Sequence, residues 1–246
     1  MKKSIFVTVR TGSTRLKNKS ILKIKNKHTI EYVIDAVKKS KFNPMIVLCT
    51  TTRSQDDVLC KIAKKNNINF YRGSEENKWS RWLGACKKFN IDFFVTADGD
   101  DLFYSHLLSD SCFAQHERSN KKERLIINGQ GLYNDVYGFS ISSLEEIEKI
   151  KNIEKIEPHN AMKFLKGKDF NIEKIKDYPK ILEKRNVRMT LDYLEDFQFF
   201  KSVIENIAED DYNLYNIYNV LSKNPEITKI NFFLEEAWKE NQKSKK

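Results

Sequence analysis

A chain of 246 residues with 40% hydrophobic and 12% aromatic side chains can bury a core, which excludes intrinsic disorder despite its 32% of charged residues. No run approaches the ~18 apolar residues of a membrane-spanning helix, and Ile5-Phe6-Val7-Thr8-Val9 is cut off by Arg10 before it could serve as a secretory leader. A net charge of +10 suits nucleic acid, anionic lipid or phosphate-rich small substrates, but acids and bases alternate along most of the chain and only residues 239–246 form a one-sided basic run.

The first apolar run, residues 4–9, reads as a short buried strand, followed at once by a polar stretch from Arg10 to Lys19. Thr29 to Lys39 has apolar residues at helical spacing, with Thr29 placed to cap it. Met45 to Cys49 is a strand-length apolar run, and Asp56 to Lys65 returns to helical period with acids at its start, as the helix dipole favours. Phe70-Tyr71 reads as a short strand, Trp79 to Phe89 as a helix, and Ile91 to Ala97 as a strand running into Asp98-Gly99-Asp100-Asp101. Beyond it the pattern loosens. Leu125 to Asn128, Tyr137 to Ile141 and Arg188 to Asp192 read as strands, Ser143 to Ile150 and Glu195 to Ile207 as helices.

Short buried strands alternating with amphipathic helices imply an α/β fold with a mostly parallel central sheet and helices on both faces. With no repeat and no proline-rich linker, residues 1–246 read as one domain. Ligands of such sheets sit at the carboxyl ends of the strands, which is where the stretches 10–19 and 98–101 leave. The four cysteines, Cys49, Cys60, Cys86 and Cys112, lack metal-ligand spacing and read as buried or free thiols of a reducing compartment, so the cytoplasm is the expected location.

Arg10, Arg15, Lys17 and Lys19 surround Gly12 and the hydroxyls of Thr11, Ser13 and Thr14. A polyphosphate needs that combination: a glycine that lets backbone N–H groups approach, hydroxyl donors, and several cations. A solvated basic loop is the competing account. The Walker pattern is absent. The segment resembles the opening motif of the cytidylyltransferases that make CMP-sialic acid and CMP-KDO, and in particular that of the spore-coat-polysaccharide-type branch, Arg-x-Gly-Ser-x-Arg-Leu-Pro-Gly-Lys. Arg10, Gly12, Ser13, Arg15, Leu16 and Lys19 match, and Lys17-Asn18 stands in place of Pro-Gly.

Tyr71-Arg72-Gly73-Ser74 and the Arg81 that follows read alone as a turn before a helix, and are similar to that family's Phe-Arg-Gly-Ser segment, which implies nucleotide contacts for Arg72, Ser74 and Arg81. Asp98, Asp100 and Asp101 crowd the end of a buried strand, where carboxylates repel unless a cation neutralises them, and oxygen-only ligands suit Mg²⁺. An acidic turn capping the next helix is the competing account. The segment is similar to the family's Gly-Asp motif and to the Asp-x-Asp of nucleotide-sugar glycosyltransferases, which places a metal on Asp100 with Asp98 assisting. Arg188-Met189-Thr190-Leu191-Asp192 followed by Glu195-Asp196 resembles the family's late Arg-x-Thr-x-Asp-x-x-Glu-Asp motif and implies a further metal or acceptor contact at Asp192. Weaker acceptor-pocket candidates are Asn128-Gly129-Gln130-Gly131 and Glu157-Pro158-His159.

The resemblance implies a Rossmann-like, glycosyltransferase-A-like domain that moves CMP from CTP, with Mg²⁺, onto a small anionic acceptor, a nonulosonic or KDO-type sugar acid; the runner-up acceptor within the same chemistry is a phosphonate or phosphomonoester. Arg10, Arg15, Lys19 and Asp100 would be the catalytic residues. It also implies a homodimer, with residues 130–180 as the acceptor or dimerisation region. The competing functions are a nucleotide-sugar-dependent glycosyltransferase and a non-catalytic basic nucleic-acid-binding module. The second would need basic and aromatic residues on one surface, whereas the aromatics here fall mostly at core positions, so neither nucleic acid nor membrane is expected as a partner.

Overall fold

In the computed structural model, which describes residues 1–183, 186–208 and 211–235, the first apolar run is strand β1 (Lys3–Thr8), an interior strand of a seven-stranded sheet. The small hairpin β2 (Lys23–Ile24) and β3 (Lys27–His28) leads into helix α1 (Thr29–Lys38). Then come β4 (Met45–Thr51), α2 (Asp57–Lys65), β5 (Asn69–Gly73), α3 (Lys78–Phe89) and β6 (Phe93–Asp98). The second half adds α4 (His106–Arg118), β7 (Leu125–Asn128), β8 (Tyr137–Ser140), α5 (Ile141–Glu148), α6 (Pro158–Leu165) and β9 (Asn171–Lys174). Helices α7 (Leu194–Glu205), α8 (Leu214–Lys223) and the short α9 (Glu226–Lys229) follow.

The strand order is β5-β4-β1-β6-β8-β7-β9. Neighbours pair in parallel except at β8, which runs antiparallel to both β6 and β7. The period-two geometry of a strand explains why the apolar runs are continuous: alternate side chains enter different cores. Ile5 and Val7 of β1, with Phe93 and Val95 of β6, join the core beneath α1, α2, α4, α7 and α8. Phe6 and Phe94 stack at 4.2 Å in the opposite core, against Trp79 and Trp82 of α3 and the apolar faces of α5 and α6. The order steps outward from β1 through β4 to β5, then returns to β6 on the other side of β1. The carboxyl ends of β1 and β6 therefore flank the switch point where doubly wound sheets bind ligands. There the two chains nearly touch. Gly99 N–H donates to the Thr8 carbonyl at 2.9 Å, and a Cβ on Gly99 would lie 2.7 Å from that of Val9.

Two local expectations are corrected. Thr29 is the first residue of α1, not its cap: His28 occupies that place, its N–H donating to Glu31 Oε2 at 2.9 Å, while the Thr29 hydroxyl donates to the Lys19 carbonyl at 2.5 Å. Arg188 to Asp192 forms no strand, because its backbone groups are taken elsewhere: Leu191 N–H by the Asp100 carbonyl (2.9 Å), Asp192 N–H by Asp196 (2.9 Å), and the Arg188 carbonyl by Asn231 (3.1 Å). The four cysteines are buried and unpaired. The basic run 239–246 lies outside the described residues. No helix among the described residues is long and apolar enough to cross a membrane.

Candidate active site

The polar loop after β1 is rooted in a buried acid. Asp56 is fully buried and accepts from Thr11 N–H (2.8 Å) and Thr11 Oγ1 (2.6 Å). It also accepts from Thr50 Oγ1 (3.1 Å), Thr51 N–H (3.3 Å) and Thr51 Oγ1 (2.5 Å). Burial alone would raise this carboxyl, but the donors from Thr11, Thr51 and Thr50 outweigh it and hold it below the ordinary carboxylate range. Sequence reading took Asp56 only as a helix-start acid; the hydroxyl pair Thr50-Thr51 at the end of β4 was the signal for its second role. Gly12 is exposed, with its φ outside the left-handed region, and a Cβ there would meet only the Gln55 amide at 3.1 Å. Ser13 N–H closes a tight turn onto the Thr11 carbonyl at 2.8 Å. Asn18, standing in place of the family pattern's glycine, has φ 56°, a left-handed conformation that asparagine tolerates, so the Lys17-Asn18 departure keeps the backbone turn.

From this loop two cations reach across the switch point. Lys19 Nζ donates to Asp100 Oδ2 (2.7 Å), to Asp192 Oδ1 (2.8 Å) and to the Leu191 carbonyl (2.7 Å). Arg15 Nη2 lies 2.5 Å from the same Asp192 oxygen, its guanidinium 5.6 Å from the Tyr193 ring centre. Three distant stretches of sequence thus meet within one hydrogen-bonded cluster. Burial works against the Lys19 charge, yet Asp100 and Asp192 prevail and hold its pKa above the ordinary lysine value. Burial likewise opposes the Asp192 charge, and Lys19 and Arg15 hold that carboxyl below its ordinary value.

Asp192 is positioned from below. Asp196 is wholly buried, and its Oδ2 accepts from the N–H groups of Asp192 (2.9 Å) and Tyr193 (3.0 Å). Arg188 holds Asp196 with two bonds, at 2.8 and 3.0 Å, and Asn231 adds a third at 2.9 Å. Paired and hydrogen-bonded in this way, a buried acid is tolerated.

The carboxylate of Asp98, at the end of β6, has no hydrogen-bond or ion-pair partner among the described residues. Burial first, then Asp100, Glu157 and Asp135, push its carboxyl up to about 6, while Lys78 pulls it down. Asp101 is raised further by burial and by Asp100 and Asp98. Crowded carboxylate oxygens of this kind suit a divalent cation. Among the described residues no group of three or more His, Cys, Asp or Glu is gathered for one, and Asp192 is occupied by two cations, Arg15 and Lys19, whereas Asp100 meets Lys19 alone. Mg²⁺ typically uses one or two carboxylates and takes its remaining ligands from phosphates and water, so Asp98 and Asp100 fit that mode better than a three-aspartate cage.

The turn after β5 forms the flank of this site. Arg81 is buried, its Nη1 on the Ser74 carbonyl at 2.8 Å, while Ser74 Oγ accepts the Asn77 N–H at 3.0 Å. Arg10 joins the turn through a 3.4 Å bond to the Glu75 carbonyl. Arg72 is turned away, with bonds to the Thr51 carbonyl (3.0 Å), the Arg53 carbonyl (2.7 Å) and Asp57 (2.6 Å). The cluster therefore joins Arg15, Lys19, Asp100 and Asp192; Arg10, Ser74 and Arg81 sit beside it, and Arg72 makes no contact with it among the described residues. Lys78, which bonds Glu157 Oε2 at 2.6 Å, was not singled out from sequence. In residues 128–131, Asn128 closes a turn by accepting the Gln130 N–H at 2.9 Å.

The profile of the cytidylyltransferase family matches residues 5–223. A cytidylyltransferase structure from Leptospira borgpetersenii superposes with a TM-score of 0.82 at 26% identity, over 93% of this chain and 97% of that one. The CMP-2-keto-3-deoxy-manno-octonic acid synthetase structure complexed with CTP shares the fold, with a TM-score of 0.59 at 12% identity over 83% of this chain and 99% of its own. An uncharacterised protein of Methanocaldococcus jannaschii is 27% identical over 92% of each chain. The spore coat polysaccharide biosynthesis protein SpsF of Bacillus subtilis is 22% identical over 89% of this chain and 94% of its own. The chain belongs to the cytidylyltransferase family, and with that membership comes CTP-using nucleotidyl transfer as its general activity.

Proposed function

We propose that residues 1–246 act as one unit that transfers CMP from CTP to a small anionic acceptor, a sugar acid of the nonulosonate or KDO type or a phosphonate or phosphomonoester, with release of pyrophosphate. The observation that carries this reading is the bridge from Lys19 to both Asp100 and Asp192 at the switch point of the sheet. It supports a site in which cationic loop and carboxylates face one polyphosphate. The likeness to a spore coat polysaccharide biosynthesis protein supports a sugar as the acceptor.

In this reading Arg10, Arg15 and Lys19 exchange their internal partners for the β- and γ-phosphates, and backbone N–H groups around Gly12 and Ser13 add donors. Lys19, held above the ordinary lysine value, stays an ammonium at neutral pH and stabilises charge on the departing pyrophosphate without acting as a base. Asp98 and Asp100 would hold Mg²⁺, which would supply charge neutralisation to the bound phosphates. Asp192 holds Arg15 and Lys19 in place until the triphosphate arrives. Ser74 and Arg81 shape the nucleotide side of the cleft, with Arg72 supporting its outer strand. An acceptor oxygen bonds to the α-phosphorus as the bond to the bridging oxygen breaks, and an acceptor attacking through an ionised oxygen needs no general base.

The test is pyrophosphate release from CTP and Mg²⁺ across a panel of sugar acids, phosphonates and phosphomonoesters. Turnover is expected with at least one acceptor and CTP, and falls by about 100-fold or more in Lys19→Gln. Hydrolysis of a nucleotide sugar with no CTP turnover would instead select the glycosyltransferase.

A further inference from the structure

Lys78 stands apart from the cationic loop, as the first residue of α3. Its Nζ donates to Glu157 Oε2 at 2.6 Å. Glu157 is the residue that precedes α6, yet its carboxylate makes no capping bond to that helix and reaches across to Lys78 instead. The two helix starts are held in register by the neighbouring residues. Trp79 is wholly buried and its indole N–H donates to the Ile156 carbonyl at 2.9 Å, so the residue after Lys78 grips the residue before Glu157. The backbone places the pair; the side chains can separate. The Lys78 side chain is 26% exposed and that of Glu157 54%, so the acid is the partner with room to swing into water.

Charge links this pair to the carboxylates at the end of β6. Asp98 lies within electrostatic reach of Lys78, and Arg10 adds positive field around Glu157. Two cations from different elements therefore act on the same turn: Lys19 is bonded to Asp100, and Lys78 acts on Asp98 through space. In-line displacement at phosphorus puts the leaving group and the attacking group on opposite sides of the reacting atom. If CMP transfer is the reaction, as proposed above, and Lys19 serves the leaving pyrophosphate, the second cation is free to serve the attacker.

The geometry points to Lys78 as the residue that binds the acid group of the acceptor, with Glu157 occupying its place until the acceptor arrives. A carboxylate or phosphonate on the acceptor replaces one anion by another on the same ammonium, and Glu157 turns out to solvent. Selection for an anionic acceptor follows, since a neutral one cannot displace Glu157 from Lys78. Residues 130–180 then contribute to acceptor choice through Glu157, whose side chain competes for the lysine.

The experiment is calorimetric titration of the full chain, first with a CTP analogue bearing a methylene bridge between the α- and β-phosphates plus Mg²⁺, then with methylphosphonate and, separately, N-acetylneuraminate. Wild type is expected to bind the analogue and at least one acid probe. Lys78→Gln is expected to weaken the acid probe by about tenfold or more while leaving the analogue's affinity unchanged. Lys78→Arg retains probe binding, and Glu157→Gln tightens it. Undiminished probe binding by Lys78→Gln, an equal loss of analogue and probe, or no probe binding by wild type would each overturn the inference. Failure of wild type to bind the CTP analogue at all would sink the CMP-transfer reading instead.

Discussion

At Asp56 one carboxylate takes hydrogen bonds from two backbone amides and three hydroxyls, and the loop that carries Arg15 and Lys19 hangs from two of those donors, both on Thr11. Asp56→Ala leaves buried donors without an acceptor, at about 1–3 kcal/mol for each one that water cannot reach. Chemical denaturation is expected to show a loss of about 2–4 kcal/mol in total. CTP affinity is expected to fall further than in Leu59→Ala, a core truncation that destabilises by a similar ~2–5 kcal/mol without touching the loop. Equal affinity losses would make the role of Asp56 purely structural. The candidate residues divide along the same line between what was legible and what was not. Arg15, Lys19, Asp100 and Asp192 were readable because charges clustered on short polar stretches after apolar runs have few structural uses. Arg72 looked equivalent in sequence, but its fork is spent on two carbonyls and Asp57, a pairing set by strand register that spacing does not reveal. Lys78 and Asp56 were passed over because their partners lie far away in sequence or at the end of another strand.

Among the elements, β1, β4 and β6 were legible because each is buried on both faces and reads as an unbroken apolar run. Helix α4 escaped notice for the opposite reason. Its inward side carries Ser109, Asp110, Gln115 and His116, all buried, so the apolar period that marks a helix is broken. Asp110 accepts from the Ser40 hydroxyl at 2.6 Å, and Gln115 donates to Glu173 and to the Lys174 carbonyl, both at 3.0 Å. The same polar packing gives the helix a pH dependence. His116 stacks on Phe93 with ring centres 3.9 Å apart, and burial, with help from Lys122 and Lys3, pushes its pKa down to about 4. For a base whose folded value lies below its unfolded value of about 6.5, the unfolded chain gains a proton that the folded chain refuses. Stability is therefore full above pH ~6.5 and declines as pH falls towards ~4. His116→Phe keeps the stacking and removes that titration. It is expected to flatten the acid limb by about 3 kcal/mol in denaturation curves taken between those pH values. An unchanged limb would mean that the imidazole is solvated.

Over the whole molecule, a net charge of +10 proved a poor guide, since the charges that matter are an internal set in which cations and carboxylates already neutralise each other. The topology does the gathering: reversal of strand order between β1 and β6 brings the loop at 10–19 to the turn at 98–101, and the segment 188–192 closes on both. The family match ends at residue 223, yet Asn231 beyond it is fully buried and bonds both Asp196 and the Arg188 carbonyl, so the chain after the match still supports the site. The decisive measurement is the melting temperature of wild type and Lys19→Gln with each of the four nucleoside triphosphates and Mg²⁺, every shift taken from that protein's own baseline. A ligand at 100 times its dissociation constant adds about 2.7 kcal/mol, enough to read clearly. CTP should raise the wild-type transition well above the other three nucleotides, and Lys19→Gln should lose that rise. Equal shifts from all four nucleotides, or a full CTP shift in Lys19→Gln, would contradict the cradle built on Lys19.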